Sequence, residues 1–316
     1  MRSAMKATVS TFGATALILI LVLASVFVLF RQDLRRARDR IASIQTGVYS
    51  SSYGDIEYRI DGQGPVMLVV HGIVGGIDQG MSMVDTWGHL RGPYTHLYIS
   101  RFGYGKSSRP VDATARMQSA AYKELLDHLG IDRVFVVGNS AGGPSSMWFA
   151  IDYPDRTSGL ILLSSAVPGP EPAYMPKLVA KNDFIYWAAV KTMPGTLLKL
   201  LVAESVAKTY TAEQRDFIVE NAFMAGLPIS SRSEGIIFDN EVSLPSVNNV
   251  PFDRIKAPTV IFQAVDDPRE FHGGRELARR IPNNTFVGLT GGHFLFGHDE
   301  EICAAIARLI KQSSMK

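Results

Sequence analysis

The fold of this chain is decided by the segment VFVVGNSAGG at residues 134–143. Its first four residues are apolar and rich in valine, which predicts a short strand buried on both faces. The strand runs into a Gly-x-Ser-x-Gly pattern centred on Ser140, and residues 144–153 have helical character. A serine at the apex of such a strand-to-helix turn has its hydroxyl lifted clear of the sheet, and small neighbours relieve backbone crowding. The segment therefore predicts Ser140 as a nucleophile, supported by Gly138 and Gly142 on either side.

Length and composition indicate a globular chain with a sizeable core. The chain has 316 residues, of which 46% are hydrophobic and 20% charged, and these proportions exclude a disordered polymer. That length suits one large α/β domain carrying an insertion, or two small domains. Cys303 is the only cysteine, so an intrachain disulfide is excluded and the redox compartment cannot be read from cysteine use.

An uncharged and strongly apolar stretch near the amino terminus predicts a membrane anchor. Residues 7–30 contain no charged side chain, and residues 14–30 are almost wholly Leu, Ile, Val, Ala and Phe. A helix of that length crosses a hydrocarbon core of about 30 Å. The alternative is a cleaved signal peptide, but the apolar run is longer than a typical signal core and no clear cleavage site follows it. We therefore predict a single-pass membrane protein that contacts lipid through residues 7–30.

Positive charge is concentrated beside this predicted span. Residues 1–40 contain seven basic and two acidic side chains, a net charge of +5, whereas the whole chain is +2 and the remainder is therefore −3. Charge placed in this way suits anionic lipid headgroups and does not indicate nucleic-acid binding. Five arginines follow the span, and only Arg2 and Lys6 precede it. By the positive-inside rule, this count favours the large domain on the cytoplasmic face.

The rest of the chain alternates predicted strands and helices, which indicates a mostly parallel sheet with helices on both faces. After residue 167 the strand-like runs stop, and helical patterns continue until strands resume near Thr259. We predict four segments: a membrane anchor and basic linker at 1–44, a first part of the core at 45–167, a helical cap at 168–250, and a second part of the core at 251–316.

Two loops in the second part of the core supply partners for Ser140. A serine hydroxyl needs a base to take its proton, and the base needs a third group to fix its tautomer. An Asp-Asp-Pro sequence follows one predicted strand, and a Gly-Gly-His sequence follows the next. Because the carboxyl ends of parallel strands meet at one edge of the sheet, we expect Ser140, His293 and either Asp266 or Asp267 to converge there.

A glycine-rich loop after an earlier strand is the candidate oxyanion hole. The loop has the sequence HGIVGG and begins at His71, and its glycines let the backbone approach a substrate closely. The N–H of Ile73, or alternatively that of Val74, would pair with the N–H of Ala141 to bind negative charge on a substrate oxygen. We expect His71 to shape this loop through hydrogen bonds and not to transfer protons.

Together these motifs resemble the α/β-hydrolase family, within its lipase- and esterase-like serine branch. The resemblance covers residues 55–311 and rests on five motifs: His71-Gly72-x-x-Gly75, Phe102-Gly103-Tyr104-Gly105-Lys106-Ser107, Gly138-Asn139-Ser140-Ala141-Gly142, Asp267-Pro268 and Gly292-His293-Phe294.

The resemblance implies an α/β-hydrolase fold with a helical cap after the sixth strand, where the insertion at 168–250 falls. It also implies Ser140 as nucleophile, His293 as general base and acid, and Asp267 as the acid that orients His293. Asp267 is favoured over Asp266 because a proline follows it, as in the family pattern. The chain departs from that pattern at Ser100, where the family often has Asp.

We therefore predict a membrane-anchored serine hydrolase that cleaves an apolar small-molecule ester through an acyl-enzyme on Ser140. Such a reaction needs neither a metal nor an organic cofactor. The scattered histidines also have no metal-ligand spacing beside cysteine or carboxylate.

Several alternatives stay open on the same residues. Perhydrolysis of the haloperoxidase kind, carbon–carbon bond hydrolysis and peptide cleavage at an amino-terminal proline are consistent with the same triad. Outside enzymology the alternative is a non-catalytic binding protein, which has no need of Ser, His and Asp together. Epoxide hydrolase and haloalkane dehalogenase chemistry is excluded by Ser140, because those relatives use Asp at that position.

Overall fold

The computed structural model describes residues 2–169 and 175–314 and divides the chain into two compact units, one up to Ser43 and one from Ile44 onward. The first unit is a single helix, α1, Arg2–Ala42. Its segment Thr15–Ala42 is long and apolar enough to cross a membrane, a property that signal sequences share. The predicted span begins at residue 7, and side chains before residue 15 lie outside the described part of the structure.

The second unit is built on one eight-stranded sheet. Its strands are β1 Gly47–Ser51, β2 Gly54–Gly62, β3 Val66–Val70, β4 Thr95–Ile99, β5 Val134–Asn139, β6 Thr157–Leu163, β7 Thr259–Ala264 and β8 Asn284–Leu289. Their order across the sheet is β1-β2-β4-β3-β5-β6-β7-β8. The pairs β1–β2 and β2–β4 are antiparallel and the others are parallel. The prediction of a mostly parallel sheet is confirmed.

Helices of the core cover both faces of this sheet. They are α2 Ile77–Asp85, α3 Ala115–His128 and α4 Gly143–Asp152 in the first part of the core. Between β6 and β7 the described residues form the helices α5 Lys177–Lys181, α6 Asp183–Thr192, α7 Pro194–Leu201, α8 Glu204–Ala207, α9 Ala212–Ile218 and α10 Ser233–Phe238, with short 3₁₀ and π-helical turns. The chain then adds α11 Pro268–Arg280 and α12 Asp299–Ser313.

The segment between β6 and β7 includes the range 168–250, where the sequence analysis expects a helical cap, and we call this segment the cap. Residues 170–174, near its predicted start, lie outside the described residues. In the described part of the cap the backbone is helical or forms turns, as the loss of strand-like patterns indicates.

Strand β5 lies at the centre of the sheet because both of its faces are apolar. Val134 and Val136 pack into one hydrophobic cluster, which includes residues of α3, α4 and α11. Phe135 and Val137 pack into a second cluster on the opposite face, with residues of α2 and α12. Successive side chains of a strand point to opposite faces, so a continuous apolar run is what a strand covered on both sides requires. Its carboxyl end is thereby held rigidly at the edge where the serine turn begins.

The serine turn crosses the end of β3 so closely that no room is left for a side chain at Gly142. A Cβ atom there would collide with the backbone carbonyl oxygen of Val70 and would lie 2.7 Å from that of His71. Both obstacles are backbone atoms of the neighbouring β3 segment, which cannot move aside without disturbing the sheet. The glycine is therefore required by packing.

We predict that Gly142→Ala lowers the free energy of unfolding by about 1–3 kcal/mol, because the added methyl group overpacks this crossing. The matched control is Gly195→Ala in α7, where an added Cβ meets nothing within 4 Å. The control should be neutral or stabilising by up to about 1 kcal/mol, since alanine is the better helix former. Urea denaturation of both variants checks this, and equal stability of the two would contradict the packing argument.

Candidate active site

Ser140 occupies a strained turn at the carboxyl end of β5. Its φ angle is +48°, in the left-handed region that non-glycine residues seldom adopt. A short 3₁₀ turn, Ser140–Gly142, leads directly into α4. The Ser140 carbonyl accepts a hydrogen bond from the Ala166 N–H at 2.9 Å, which ties the turn to the segment after β6. The turn is the predicted strand-to-helix elbow.

His293 lies on a second tight turn, Gly292–Phe294, after β8. Its Nε2 atom is 3.1 Å from Ser140 Oγ, within hydrogen-bond distance across 153 residues of sequence. The turn bends sharply, because Gly291, Gly292 and Leu295 all have positive φ angles of 88°, 55° and 49°. The two side chains that the sequence analysis placed at one edge of the sheet are thus in contact.

Glu270, in the first turn of α11, places its carboxylate beside His293. Glu270 Oε1 is 2.5 Å from His293 Nδ1, and Gln263 Nε2 donates to Glu270 Oε2 at 3.0 Å. The Glu270 side chain is 11% exposed. A carboxylate only accepts hydrogen bonds, so this contact assigns the proton of a neutral imidazole to Nδ1 and leaves Nε2 free to accept from Ser140.

The sequence analysis expects Asp267, or else Asp266, beside the imidazole, and the structure places Glu270 in hydrogen-bond contact with it. Asp267 is fully buried and accepts a hydrogen bond from the Ala203 N–H of the cap at 2.7 Å. Asp266 accepts from the N–H groups of Gly291 and Gly292 at 2.8 and 3.1 Å. Both aspartates thus hold backbone around the site: one holds the cap and the other the histidine turn.

Sequence reasoning missed Glu270 because it considered only residues in the loop after β7. Pro268 is the first residue of α11, a position where proline is favoured. Glu270 is therefore already in the helix, three residues after Asp267. An acidic residue in the first turn of a helix that starts next to the site is the signal that could have found it.

The glycine-rich loop after β3 lies against Ser140 and is held in place by Gln79 of α2. A Cβ atom on Gly72 would be only 3.0 Å from the Ser140 Cβ, so the backbone of the loop packs directly against the serine. Gln79 Oε1 accepts from the Gly72 N–H at 2.7 Å, and its Nε2 donates to the Ile73 carbonyl at 3.3 Å. Val74 has a φ angle of +63°, which is unusual for a β-branched residue. We refer to residues 71–76 as the oxyanion loop.

His71 is fully buried, and both of its ring nitrogens contact backbone. Nδ1 is 2.7 Å from the Gly72 carbonyl oxygen, and Nε2 accepts from the Arg101 N–H at 3.0 Å. Burial, with the nearby Arg101 charge, holds the pKa of His71 well below its usual value. A neutral imidazole with both nitrogens so placed shapes the loop, as the sequence analysis expected.

Two buried arginines, neither of which sequence reasoning singled out, connect the cap to the oxyanion loop. Arg232 of the cap pairs with Asp78 of α2 at 2.7 Å and donates to the carbonyls of Val74 and Gly75. In the second pair the arginine belongs to the core and the carboxylate to the cap: Arg101, after β4, pairs with Asp239 at 2.5 Å. Both guanidinium groups are almost completely buried, and each is neutralised by a carboxylate across the cap–core boundary.

A cavity of about 770 Å³ opens onto Ser140 and His293. It is lined by the oxyanion loop and the serine turn on the core side and by cap residues such as Tyr186, Leu201 and Phe223. None of its described lining residues is Lys or Arg, and Glu270 is the only carboxylate among them. The described residues also contain no group of three His, Cys, Asp or Glu side chains arranged to hold a metal ion.

Comparisons with known proteins agree with this architecture. The alpha/beta hydrolase fold family matches residues 65–299. The uncharacterized hydrolase YcgS of Bacillus subtilis (strain 168) is 36% identical over 115 residues, which are 35% of this chain and 38% of that protein. A 2-hydroxy-6-oxononadienedioate/2-hydroxy-6-oxononatrienedioate hydrolase of Paraburkholderia phymatum is 38% identical over 79 residues, covering 24% of this chain and 27% of that one. The chain thus spans less than half the length of these curated relatives.

Among solved structures, an alpha/beta hydrolase fold protein from Nakamurella multipartita superimposes with a TM-score of 0.65 at 23% sequence identity. The alignment covers 84% of this chain and 99% of that protein. At this level of identity the likeness supports the fold alone.

Proposed function

This chain belongs to the α/β-hydrolase family and is a hydrolase, and we propose that it cleaves an apolar, uncharged ester through an acyl-enzyme on Ser140. The observation that carries the proposal is the line of hydrogen bonds from Ser140 Oγ to His293 Nε2, at 3.1 Å, and from His293 Nδ1 to Glu270, at 2.5 Å. Acyl transfer through serine requires a nucleophile in contact with a base, and an acid on the other side of that base to orient it.

In the proposed reaction, His293 Nε2 takes the Ser140 proton as Oγ attacks the ester carbonyl carbon. The N–H groups of Ile73 and Ala141 stabilise the negative charge on the tetrahedral oxygen. His293 then gives its proton to the leaving alcohol, and an acyl-enzyme remains on Ser140. Water attacks the acyl carbonyl carbon as His293 takes its proton. His293 then gives that proton to Ser140 Oγ as the bond between Oγ and the acyl carbon breaks, which releases the carboxylic acid and restores the enzyme.

We assign the orienting role to Glu270 in place of the sequence-based choice, Asp267. Glu270 contacts the imidazole nitrogen that faces away from the serine, where a carboxylate fixes the tautomer and stabilises the imidazolium that forms. The Asp267 carboxylate accepts a hydrogen bond from the Ala203 N–H of the cap, and this bond helps to offset the cost of burying the carboxylate. Asp267 is the alternative that the experiment below separates from Glu270.

The cavity supports an uncharged substrate. Its lining includes the aliphatic side chains of Leu163, Leu197 and Leu201, and no Lys or Arg among the described residues. Transfer of a charged group into such surroundings without a partner is costly, whereas an acyl chain gains about 25 cal/mol for each Å² removed from water. An ester with an apolar acyl group therefore fits the cavity better than an anionic substrate.

Hydrolysis of a carbon–carbon bond is the second candidate function. It is favoured by the similarity to the Paraburkholderia phymatum enzyme, which is named for dioate substrates. A dioate carries two carboxylates, which need cationic partners that the described cavity lining does not provide.

We further propose that α1 anchors the protein in a membrane, with the span at residues 7–30 contacting lipid. The exposed leucine, isoleucine and valine side chains at residues 17–23 support this, since apolar side chains around a whole helix need lipid or a core to cover them. The arginines that follow the span favour the hydrolase unit on the cytoplasmic face.

The ester proposal predicts that activity on p-nitrophenyl esters rises with acyl length until the chain fills the cavity. Esters that carry a free carboxylate on the acyl chain should be cleaved at least roughly tenfold more slowly, because no cation meets that charge. Ser140→Ala should lower kcat by roughly 10⁴-fold or more. Preferential cleavage of a vinylogous diketone dioate over every ester would support the second candidate instead.

The acid assignment predicts that Glu270→Gln lowers kcat by about 10³–10⁴-fold, because the amide can donate to His293 Nδ1 and favour the unproductive tautomer. The matched control is Asp267→Asn, whose remaining amide oxygen can still accept from Ala203; its kcat should fall less than about tenfold. Steady-state kinetics at several pH values checks both variants. The opposite ranking would assign the role to Asp267.

The anchor proposal predicts that the full chain stays in the membrane pellet after alkaline carbonate extraction and that its intact mass includes residues 7–30. A cleaved signal peptide would leave a shorter chain with a new amino terminus after this stretch. Protease treatment of sealed vesicles of known orientation then tests the side. Digestion of the hydrolase unit from the non-cytoplasmic face would contradict the predicted orientation.

A further inference from the structure

Arg101 joins the two backbone segments that flank the proposed oxyanion hole. Its side chain is completely buried, and its Nη2 donates to the Gly72 carbonyl at 3.1 Å while its Nη1 donates to the Ala141 carbonyl at 3.2 Å. Gly72 follows β3 and Ala141 follows β5, so a single planar group spans the ends of two neighbouring strands.

The contact with Gly72 bears directly on an oxyanion donor. In a planar trans peptide the carbonyl and the following N–H point in opposite directions. The Gly72 carbonyl is in the same peptide unit as the Ile73 N–H, so holding one fixes the direction of the other. This carbonyl oxygen also lies 2.7 Å from His71 Nδ1, so two donors hold the same peptide plane.

The guanidinium is itself held by the cap. Asp239 accepts from Nη1 and Nη2 of Arg101 at 2.6 and 2.5 Å, and the Tyr104 hydroxyl donates to the same carboxylate at 2.5 Å. Burial alone would lower the pKa of Arg101, but the Asp239 carboxylate raises it above its ordinary value. The guanidinium is therefore charged, and it is fixed by Asp239 on one side and by the two backbone carbonyls on the other.

We propose that Arg101 is a positioning residue that orients the Ile73 N–H toward the substrate oxygen and couples that orientation to the seating of the cap through Asp239. The inference rests on the proposed function, because it takes Ile73 as an oxyanion donor. Preorganised donors need no reorganisation at the moment of reaction, so a loss of orientation weakens binding of the transition state more than binding of the substrate.

A purely structural role for Arg101 makes a different prediction. If the ion pair only fastened the cap, its removal would lower stability and leave the turnover of each folded molecule unchanged. Breaking one partner of a buried ion pair is strongly destabilising, whereas replacing both partners with apolar residues of similar size is often neutral. A double substitution therefore separates positioning from stability.

The experiment compares wild type with Arg101→Lys and with the double variant Arg101→Met, Asp239→Leu. Each protein is assayed on a p-nitrophenyl ester, with active sites titrated by a fluorophosphonate and melting followed by calorimetry. A trifluoromethyl ketone, which forms a tetrahedral oxyanion on the serine, reports on the hole itself. Tyr104→Phe is the control, since it removes a hydrogen bond to Asp239 and leaves the contacts of Arg101 in place.

We expect kcat per titrated site to fall roughly 10²-fold in the double variant even where its melting temperature equals that of wild type, with KM changed less than about threefold. Inhibition by the trifluoromethyl ketone should weaken by the same factor as kcat. Arg101→Lys should show the same pattern, because one ammonium cannot reach both carbonyls and the carboxylate. Tyr104→Phe should stay within about threefold of wild type in kcat, since Arg101 keeps both carbonyl contacts.

A folded double variant with wild-type kcat per site and wild-type inhibition would overturn the inference and leave the proposed function standing. A wild-type protein that neither turns over esters nor reacts with the fluorophosphonate would overturn the proposed function and this inference together. If Arg101→Lys fails to fold, the double variant alone decides.

Discussion

The left-handed backbone at Ser140 is the constraint on which the rest of the site depends. A serine with φ of +48° persists only where its surroundings hold it, and here they are tightly packed. Gly142 fits against the β3 carbonyls, and the Ser140 carbonyl is held by Ala166. Packing at the buried centre of the sheet stabilises this strained conformation. The Ser140 hydroxyl is thereby directed to the cavity and to His293.

Three carboxylates within five residues of sequence have separate tasks around this turn. Asp266 holds the N–H groups of the histidine turn, Asp267 holds the cap backbone, and Glu270 contacts the imidazole. Because the three lie so close together in sequence, the Asp-Asp-Pro motif locates the group of acidic residues but does not show which of them orients His293. The proposed choice of Glu270 depends on where α11 begins, because the first turn of that helix brings the Glu270 carboxylate to His293.

Much of the fold could be predicted from sequence, because the valine-rich strand, the glycine turns and the alternation of elements are local patterns. Ser140 and His293 were placed correctly at one edge of the sheet for the same reason. Glu270, Arg101 and Arg232 could not be found in this way, since their partners lie across the cap–core boundary and are distant in sequence.

Hydrogen bonds from Arg101 join Asp239 of the cap to the Gly72 carbonyl of the loop beside Ser140. Under the proposed mechanism, enclosure of the substrate and the geometry of the oxyanion hole would depend on the same buried charges. The proposed mechanism depends above all on the Ser140 hydroxyl being the nucleophile that His293 activates. The most direct measurement is peptide mapping by mass spectrometry after reaction with a fluorophosphonate. We expect one adduct, on Ser140, and its loss in His293→Ala. An adduct on another residue, or undiminished labelling of Ser140 without the imidazole, would contradict it.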